Sequence, residues 1–177
     1  MKFYLLLLII TYREVSCQSG DAEGHCQRVV NIFPAKLKEL RTTFHKVKRY
    51  FQMKDDALHI ILLQDSLLKD FKSSMGCRSV LEMIQFYLEE VIPHAQDKSK
   101  PANMNISYMK DNLLDLRHTL RRCHHFLPCD KQSQAIKEIK DTYSKMKENG
   151  VYKAMGEFDI FIDYIEEYLT SKRSRKL

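Results

Sequence analysis

The segment VLEMIQFYLEEVI, from Val80 to Ile92, would place apolar side chains around most of the circumference of an α-helix. A helix that is apolar on nearly all sides is buried among other elements, because no face of it is suited to water. The segment therefore predicts the central helix of a helical bundle.

Five other segments share the helical period of about 3.6 residues. The clearest is a stripe on a first helix, where apolar residues recur at alternating steps of four and three: Phe33, Leu37, Leu40, Phe44, Val47 and Phe51. The remaining helices are predicted at residues 60–74, 106–123, 136–146 and 155–169. Since no segment shows sustained alternation with a period of two, the pattern predicts an all-α fold of six helices with no sheet.

Glycine and proline mark the predicted boundaries between these helices. Pro93 and Pro101 bracket a polar connection after the central helix, and Gly76 marks a break before it. Gly150 is well placed as the C-cap residue of the fifth helix, a position that glycine often occupies. No linker separates two domains, so a single domain is expected.

The first seventeen residues have the features of an export signal. The apolar run FYLLLLII at Phe3 to Ile10 follows the basic Lys2 and is too short to span a bilayer. Val15 and Cys17 suit the positions three and one before a cleavage point, so residues 1–17 are expected to be removed. The remaining residues, 18–177, are expected to form a secreted, extracellular domain with no membrane insertion.

Removal of the signal leaves four cysteines, which are Cys26, Cys77, Cys123 and Cys129. Four cysteines in an oxidising compartment allow three disulfide pairings, and their spacing does not choose among them. A zinc site within LRRCHHFLPC, residues 120–129, is disfavoured because neither a Cys-x-x-Cys nor a His-x-x-x-His pair occurs there. The cysteines are therefore expected to be structural.

Charge and missing motifs narrow the range of functions. The chain has a formal net charge of +6, and its basic tail at Lys172 to Lys176 is either solvated or a weak glycosaminoglycan contact. This charge is not by itself typical of a nucleic-acid-binding protein. The sequence has no glycine-rich phosphate loop, no Gly-x-Ser-x-Gly and no His-Glu-x-x-His motif. We therefore expect a recognition protein without catalytic residues, cofactor or metal, and not an enzyme.

Several long segments resemble the interleukin-10 family of class II helical cytokines. They are FQMKD at 51–55, SLLKDFK at 66–72, EMIQFYLEEVIP at 82–93, LRRCHHFLPC at 120–129 and YKAMGEFDIFIDYIEEY at 152–168. Ordered matches of this length, spread over essentially the whole chain after the signal, are far more specific than one short motif. The resemblance implies a six-helix class II cytokine bundle.

The resemblance also implies an assembly and a set of disulfides. In this family the fifth and sixth helices, about residues 133–170 here, pack in the core of a second chain and form an intertwined, helix-swapped homodimer. The family's disulfides, carried onto this chain, would join Cys26 to Cys123 and Cys77 to Cys129. A local Cys123–Cys129 bond is then set aside.

A set of receptor-binding residues is implied in the same way. Interleukin-10-like proteins bind a high-affinity receptor chain through the first helix, the bend after it and the last helix, and they also engage a shared second receptor chain. The matching positions are Lys38, Arg41, Lys48, Gln52, Asp55, Lys153, Glu157, Asp159, Asp163 and Glu166. Two positions depart from the pattern: Gly156 stands where many relatives have a small hydroxyl residue, and Asp163 where many have an amide.

The function implied is that of a secreted cytokine that clusters two kinds of class II receptor chain. The family suppresses inflammatory activation of macrophages and antigen-presenting cells. The alternatives are a related class II cytokine with another receptor pair, and a basic extracellular protein whose main partner is glycosaminoglycan. Salt dependence would distinguish the last, since binding to a polyanion weakens steeply with ionic strength.

One modification site accompanies the export prediction. Asn105-Ile106-Ser107 is an acceptor motif for N-linked sugar, and it lies near the start of the predicted fourth helix. A glycan on Asn105 is therefore expected in the secreted form.

Overall fold

A computed structural model describes the backbone of residues 19–74, 76–123 and 133–174, and the side chains of residues 32–74, 76–121 and 133–171. The helices of these described residues are α1 (Ser19–Lys54), α2 (Asp65–Lys72), α3 (Gly76–Phe86), α4 (Ile92–Lys98), α5 (Asn103–Cys123), α6 (Gln134–Lys145), α7 (Gly150–Gly156) and α8 (Phe158–Ser174). A π-helical turn at Tyr87–Val91 joins α3 to α4, and α7 meets α8 at Glu157. With each joined pair counted once, these residues form the six predicted helices and contain no strand. The all-α prediction is confirmed.

The stripe predicted on α1 is the side of that helix that faces the core. Its six apolar side chains are each at most 2% exposed, and α1 packs against α5, α7 and α8. Phe44 in this stripe contacts Phe158 of α8, with ring centroids 5.2 Å apart. Full burial of one such side chain stabilises the fold by about 1.5–3 kcal/mol, so the stripe is a main source of stability.

The central helix is tied to the last helix through Tyr87, the first residue of the π-helical turn. The Tyr87 ring stacks on Phe161 with centroids 4.8 Å apart and an interplanar angle of 12°. Its hydroxyl donates a hydrogen bond to the carbonyl oxygen of Ala154, at 2.9 Å, shortly before the chain passes from α7 to α8. Burial raises the pKa of the Tyr87 phenol well above its usual value, so the neutral donor form is maintained.

Three of the predicted boundaries are wrong. The second helix begins at Asp65 and not at residue 60, because residues 60–64 belong to an irregular bend at residues 55–64. Pro93 does not end the central helix, because the helix continues through the π-helical turn at Tyr87–Val91 into α4, of which Pro93 is the second residue. Gly150 is not the C-cap of α6, because α6 ends at Lys145 with Met146 as its C-cap, and Gly150 begins α7 with a φ of −55°. The left-handed residue in this connection is Lys147, with a φ of 51°. Glycine at position 150 provides space instead, since a Cβ there would lie 2.7 Å from the carbonyl oxygen of Tyr143.

The fifth and sixth predicted helices pack here on the core of the same chain. Helix α6 contacts α2 and α3, while α8 contacts α1 and α2. Ser133 caps α6 by accepting a hydrogen bond from the backbone N–H of Ile136, at 3.1 Å, and it donates one to Asp70 of α2. Residues 124–132, which connect α5 to α6, lie outside the described residues. The same contacts can form within one chain or between two, so helix exchange stays a prediction.

Several other predictions fall outside the described part of the chain. These predictions concern the export signal at residues 1–17, the side chains of Cys26, Cys123 and Cys129, the pair His124-His125 and the tail from Lys172. Cys77 is partly buried at the start of α3, beside the hydroxyl of Tyr168. Both disulfides therefore stay predictions. Among the described residues, no helix is both long and apolar enough to cross a membrane, and no cluster of potential ligands could hold a metal ion.

Candidate recognition surface

The predicted contact residues of α1 lie on one side of the helix, next to the core stripe. Each follows a buried stripe residue by one position, and one step along an α-helix turns the side chain by about 100°. Arg41 and Lys48 are half-buried, whereas Lys38 and Gln52 are exposed. The sequence therefore places a polar row beside the stripe, at the edge of α1.

Ion pairs join this edge of α1 to α8. Arg41 binds two carboxylates, with Nη1 2.8 Å from Asp163 Oδ1 and Nη2 3.0 Å from Glu166 Oε2. Burial opposes the charge on Arg41, but its hydrogen bonds to Asp163 and Glu166 outweigh this effect and raise its pKa. Lys48 forms a further pair with Asp159. We call these five residues the paired face.

The charges of the paired face are of mixed sign and only partly screened from water. Its two cations meet three carboxylates, and the side chains range from 25% to 55% exposed. Ion pairs of this exposure contribute about 0–1 kcal/mol each to stability. They can therefore be exchanged for intermolecular pairs at little cost to the fold. Such a surface fits a partner that itself carries both signs of charge.

A second group of predicted contact residues is buried. The Lys153 side chain is 5% exposed, and its Nζ lies 2.6 Å from Asp55 Oδ2 and 3.7 Å from Glu157 Oε1. We call these three residues the bend anchor, because they join the chain after α1 to the junction of α7 and α8. A lysine buried to this degree cannot meet a partner without rearrangement of the chain. Direct receptor contact by Lys153 stays a prediction, and the geometry favours a structural role for it.

Gly156 lies where the paired face meets the bend anchor. Its carbonyl oxygen accepts a hydrogen bond from Gln52 Nε2 at 3.3 Å. A Cβ at this position would lie 3.8 Å from Asp55 Oδ2 and 3.8 Å from Gln52 Cγ, which is ordinary van der Waals contact. The position therefore has room for a small side chain, so glycine is not required there by the packing.

The structure brings nine of the ten predicted contact residues together, some on the surface and some buried beneath it. The paired face supplies five, the bend anchor three, and Gln52 connects the two groups. Lys38 is exposed about one turn before Arg41. Sequence reasoning missed two exposed apolar residues in the bend, Leu58 and Ile61. Both lie in the apolar segment ALHIILL, residues 57–63, the second half of which the sequence pattern had assigned to a helix.

The comparisons with known proteins agree on one family. The family model described as Interleukin 10 matches residues 2–171 of this chain. The chain belongs to the interleukin-10 family. Relatives within it include interleukin-10 of Gallus gallus, 50% identical over 153 residues, which are 86% of this chain and 87% of that protein. Interleukin-10 of Felis catus is 51% identical over 155 residues, which are 88% of this chain and 86% of that protein.

A solved structure supports the fold of this interleukin-10 family chain. The crystal structure of human interleukin-19 superimposes with a TM-score of 0.64, covering 75% of this chain and 88% of that one. Because the two sequences are 22% identical, this likeness concerns the fold alone. Family membership and fold together make the chain a helical cytokine of the interleukin-10 family and not an enzyme.

Proposed function

We propose that this interleukin-10 family chain is a secreted cytokine that binds a high-affinity class II receptor chain and recruits a second, shared receptor chain. Signalling by the clustered receptors would suppress inflammatory activation of macrophages and antigen-presenting cells. The observation that carries the proposal is the paired face, where residues from α1 and α8 that are far apart in sequence lie within ion-pair distance. The protein would act by bringing receptors together, with no chemistry of its own.

The receptor arrangement is tested by binding of the purified protein to the two receptor ectodomains, separately and together. We expect the high-affinity chain to bind alone and the shared chain to add to that complex. Surface plasmon resonance measures both steps. Absence of binding to either ectodomain at micromolar concentrations would refute the proposal.

The paired face is tested by removing its two cations. In the double variant Arg41→Gln, Lys48→Gln, both side chains keep their polarity and lose their charge. Truncating a desolvated charge pair at an interface costs about 2–5 kcal/mol, and about 1.4 kcal/mol is tenfold in affinity, so we expect at least a tenfold loss of receptor affinity. Lys137→Gln, an exposed lysine on α6, is the matched control, with circular dichroism as the folding check. If the double variant binds the receptor as tightly as Lys137→Gln does, the receptor contact lies elsewhere on the protein.

We further propose that two chains exchange α6, α7 and α8 to form the homodimer. The exchange would present two paired faces in one molecule, which favours engagement of two receptor complexes at once. A flexible insert of glycines and serines between Gln132 and Ser133 should let the three helices fold back while the Ser133 cap on α6 is kept. Light scattering should then show a folded monomer that retains receptor contact. A tight dimer would contradict this hinge placement.

A further inference from the structure

The first turns of α5 expose two large apolar side chains on one face. Met104 is 70% exposed and Tyr108 is 58% exposed, and they are two of the six large exposed hydrophobic side chains in the described part of the chain. Residues four positions apart lie side by side on a helix, so the two side chains form one patch. We call Met104 and Tyr108 the apolar patch of α5.

The predicted N-glycosylation site adjoins this patch. Asn105 follows Met104 directly and lies three positions before Tyr108, and side chains three positions apart are neighbours on a helix surface. Asn-Ile-Ser at residues 105–107 is the only acceptor motif for N-linked sugar in the sequence. A sugar attached to Asn105 would therefore begin beside both apolar side chains.

The structure around Asn105 gives such a sugar a fixed base close to the protein surface. Asn105 is half-buried in the first turn of α5, on the side of the helix between Tyr108 and the buried residue Met109. Ser107, the third residue of the motif, accepts a hydrogen bond from Gln96 Nε2 at 3.0 Å, which ties this turn to α4. Because the asparagine is not fully exposed, the first sugar must pass along the protein surface before it reaches open water.

We propose that the first sugars of an N-linked glycan on Asn105 pack on Tyr108 and Met104 and cover the apolar patch of α5. N-acetylglucosamine, the sugar joined to asparagine, has an apolar face of C–H groups. The face of an aromatic ring is negatively polarised and attracts such weakly positive C–H groups. The outer hydroxyl groups of the glycan would then meet water in place of the two side chains. The proposal rests on the glycosylation prediction and is independent of receptor binding.

A protein partner is the competing occupant of the apolar patch. Covalent attachment favours the glycan, because a tethered group has a high effective concentration at a neighbouring site. The size of the patch favours it too, since a stable protein interface buries about 800 Å² on each partner and two side chains offer much less. The two occupants differ in whether glycosylation alone is enough to cover the patch.

Oxidation of Met104 measures whether the glycan covers the patch. Protein secreted from eukaryotic cells is treated with dilute hydrogen peroxide, and peptide mass spectrometry follows the formation of methionine sulfoxide at Met104. A covered thioether oxidises more slowly than an exposed one, so the glycosylated protein should form this sulfoxide at least about twofold more slowly than Asn105→Gln. Equal rates would overturn the proposal, and so would secreted protein that carries no sugar on Asn105.

A glycan moved to another helix is the matched control. Glu138→Asn with Lys140→Ser, in the Asn105→Gln background, creates the same Asn-Ile-Ser tripeptide at an exposed position of α6. Its glycan lies at a different place, so Met104 should oxidise as fast as in Asn105→Gln alone. If Met104 is protected equally well in this control, the sugar shields the protein without packing on the patch, and the proposal fails.

Packing on the Tyr108 ring is tested by a double-mutant cycle in thermal unfolding. The glycan should raise the Tm by about 2–4 °C relative to Asn105→Gln, and this gain should disappear when both proteins also carry Tyr108→Ser. Circular dichroism measures the Tm at one fixed protein concentration and checks that helicity is unchanged, as expected for an exposed position. A gain of the same size in the Tyr108→Ser background would overturn the packing on this ring.

Discussion

Replacement of Lys153 by methionine is the sharpest test of the bend anchor. The Lys153 side chain is 5% exposed, and it is the cation between Asp55 and Glu157, whose side chains are 9% and 13% exposed. Methionine has nearly the length of lysine and fills the same space without a charge. The substitution therefore removes the ion pairs and leaves two carboxylates without their counter-ion in a mostly buried site.

The expected loss follows from the cost of an unpaired buried charge. Breaking a buried pair by removing one partner costs about 3–5 kcal/mol. The carboxylates keep hydrogen bonds from the N–H groups of Ala57, Leu62 and Leu63, and they are not fully enclosed. We therefore expect the lower end, about 3 kcal/mol. For a chain of this size that corresponds to a fall in Tm of about 6–12 °C.

Urea unfolding followed by circular dichroism, at one fixed protein concentration, measures the free energy of unfolding. Lys140→Met is the matched control, since Lys140 is 30% exposed and its Nζ lies 3.8 Å from Glu82 Oε1. Lys140→Met should lower the free energy of unfolding by at most about 1 kcal/mol. Adding Asp55→Asn and Glu157→Gln to Lys153→Met should recover most of the stability, because no buried charge is then left unpaired. A loss for Lys153→Met as small as that of the control would refute the buried anchor.

Three further predictions concern packing, pH and processing. Gly76→Ala should lower the free energy of unfolding by about 1–3 kcal/mol, because the alanine Cβ would lie 1.9 Å from the carbonyl oxygen of Phe71. Gly156→Ala is the control and should leave the free energy of unfolding in urea nearly unchanged. Burial and the charge of Glu90 raise the pKa of Tyr143 from 10.0 to about 12. The neutral form of Tyr143 therefore contributes its full stabilisation below about pH 10, and this contribution should be lost as the pH rises towards 12. In a pH titration, phenolate absorbance should appear together with a loss of helicity. Protein secreted from eukaryotic cells should lose mass on glycosidase treatment, and Asn105→Gln should abolish that change; an unchanged mass would mean that the motif is unused.

The helices were predictable because their signals are local. The stripe from Phe33 to Phe51 and the apolar segment from Val80 to Ile92 are both read from neighbouring residues, and both are buried as predicted. Gly150 was misassigned because glycine serves two purposes, left-handed backbone and close approach, and the sequence does not distinguish them. The break at Glu157 was invisible, since Met155, Phe158 and Ile162 keep one apolar face across it.

The site was predictable only in part, because its contacts join distant residues. Arg41 and Asp163 are 122 positions apart, and nothing local in either segment indicates that they meet. The family resemblance marked both positions, but it did not distinguish an exposed charge from a buried one. Lys153 carried a local signal, since it is flanked by the buried residues Val151, Ala154 and Met155. A lysine in that setting indicates a buried counter-charge.

The pairing of α1 with α8 also constrains how this surface can diverge. A change at position 41 alone would leave Asp163 and Glu166 without their shared cation, and a change at position 48 would do the same for Asp159. On the receptor role proposed above for the paired face, we expect receptor preference to change by matched exchanges in α1 and α8, at opposite ends of the coding sequence. The same rule applies to engineering: a variant library that randomises both helices together will sample functional surfaces that single-helix libraries miss.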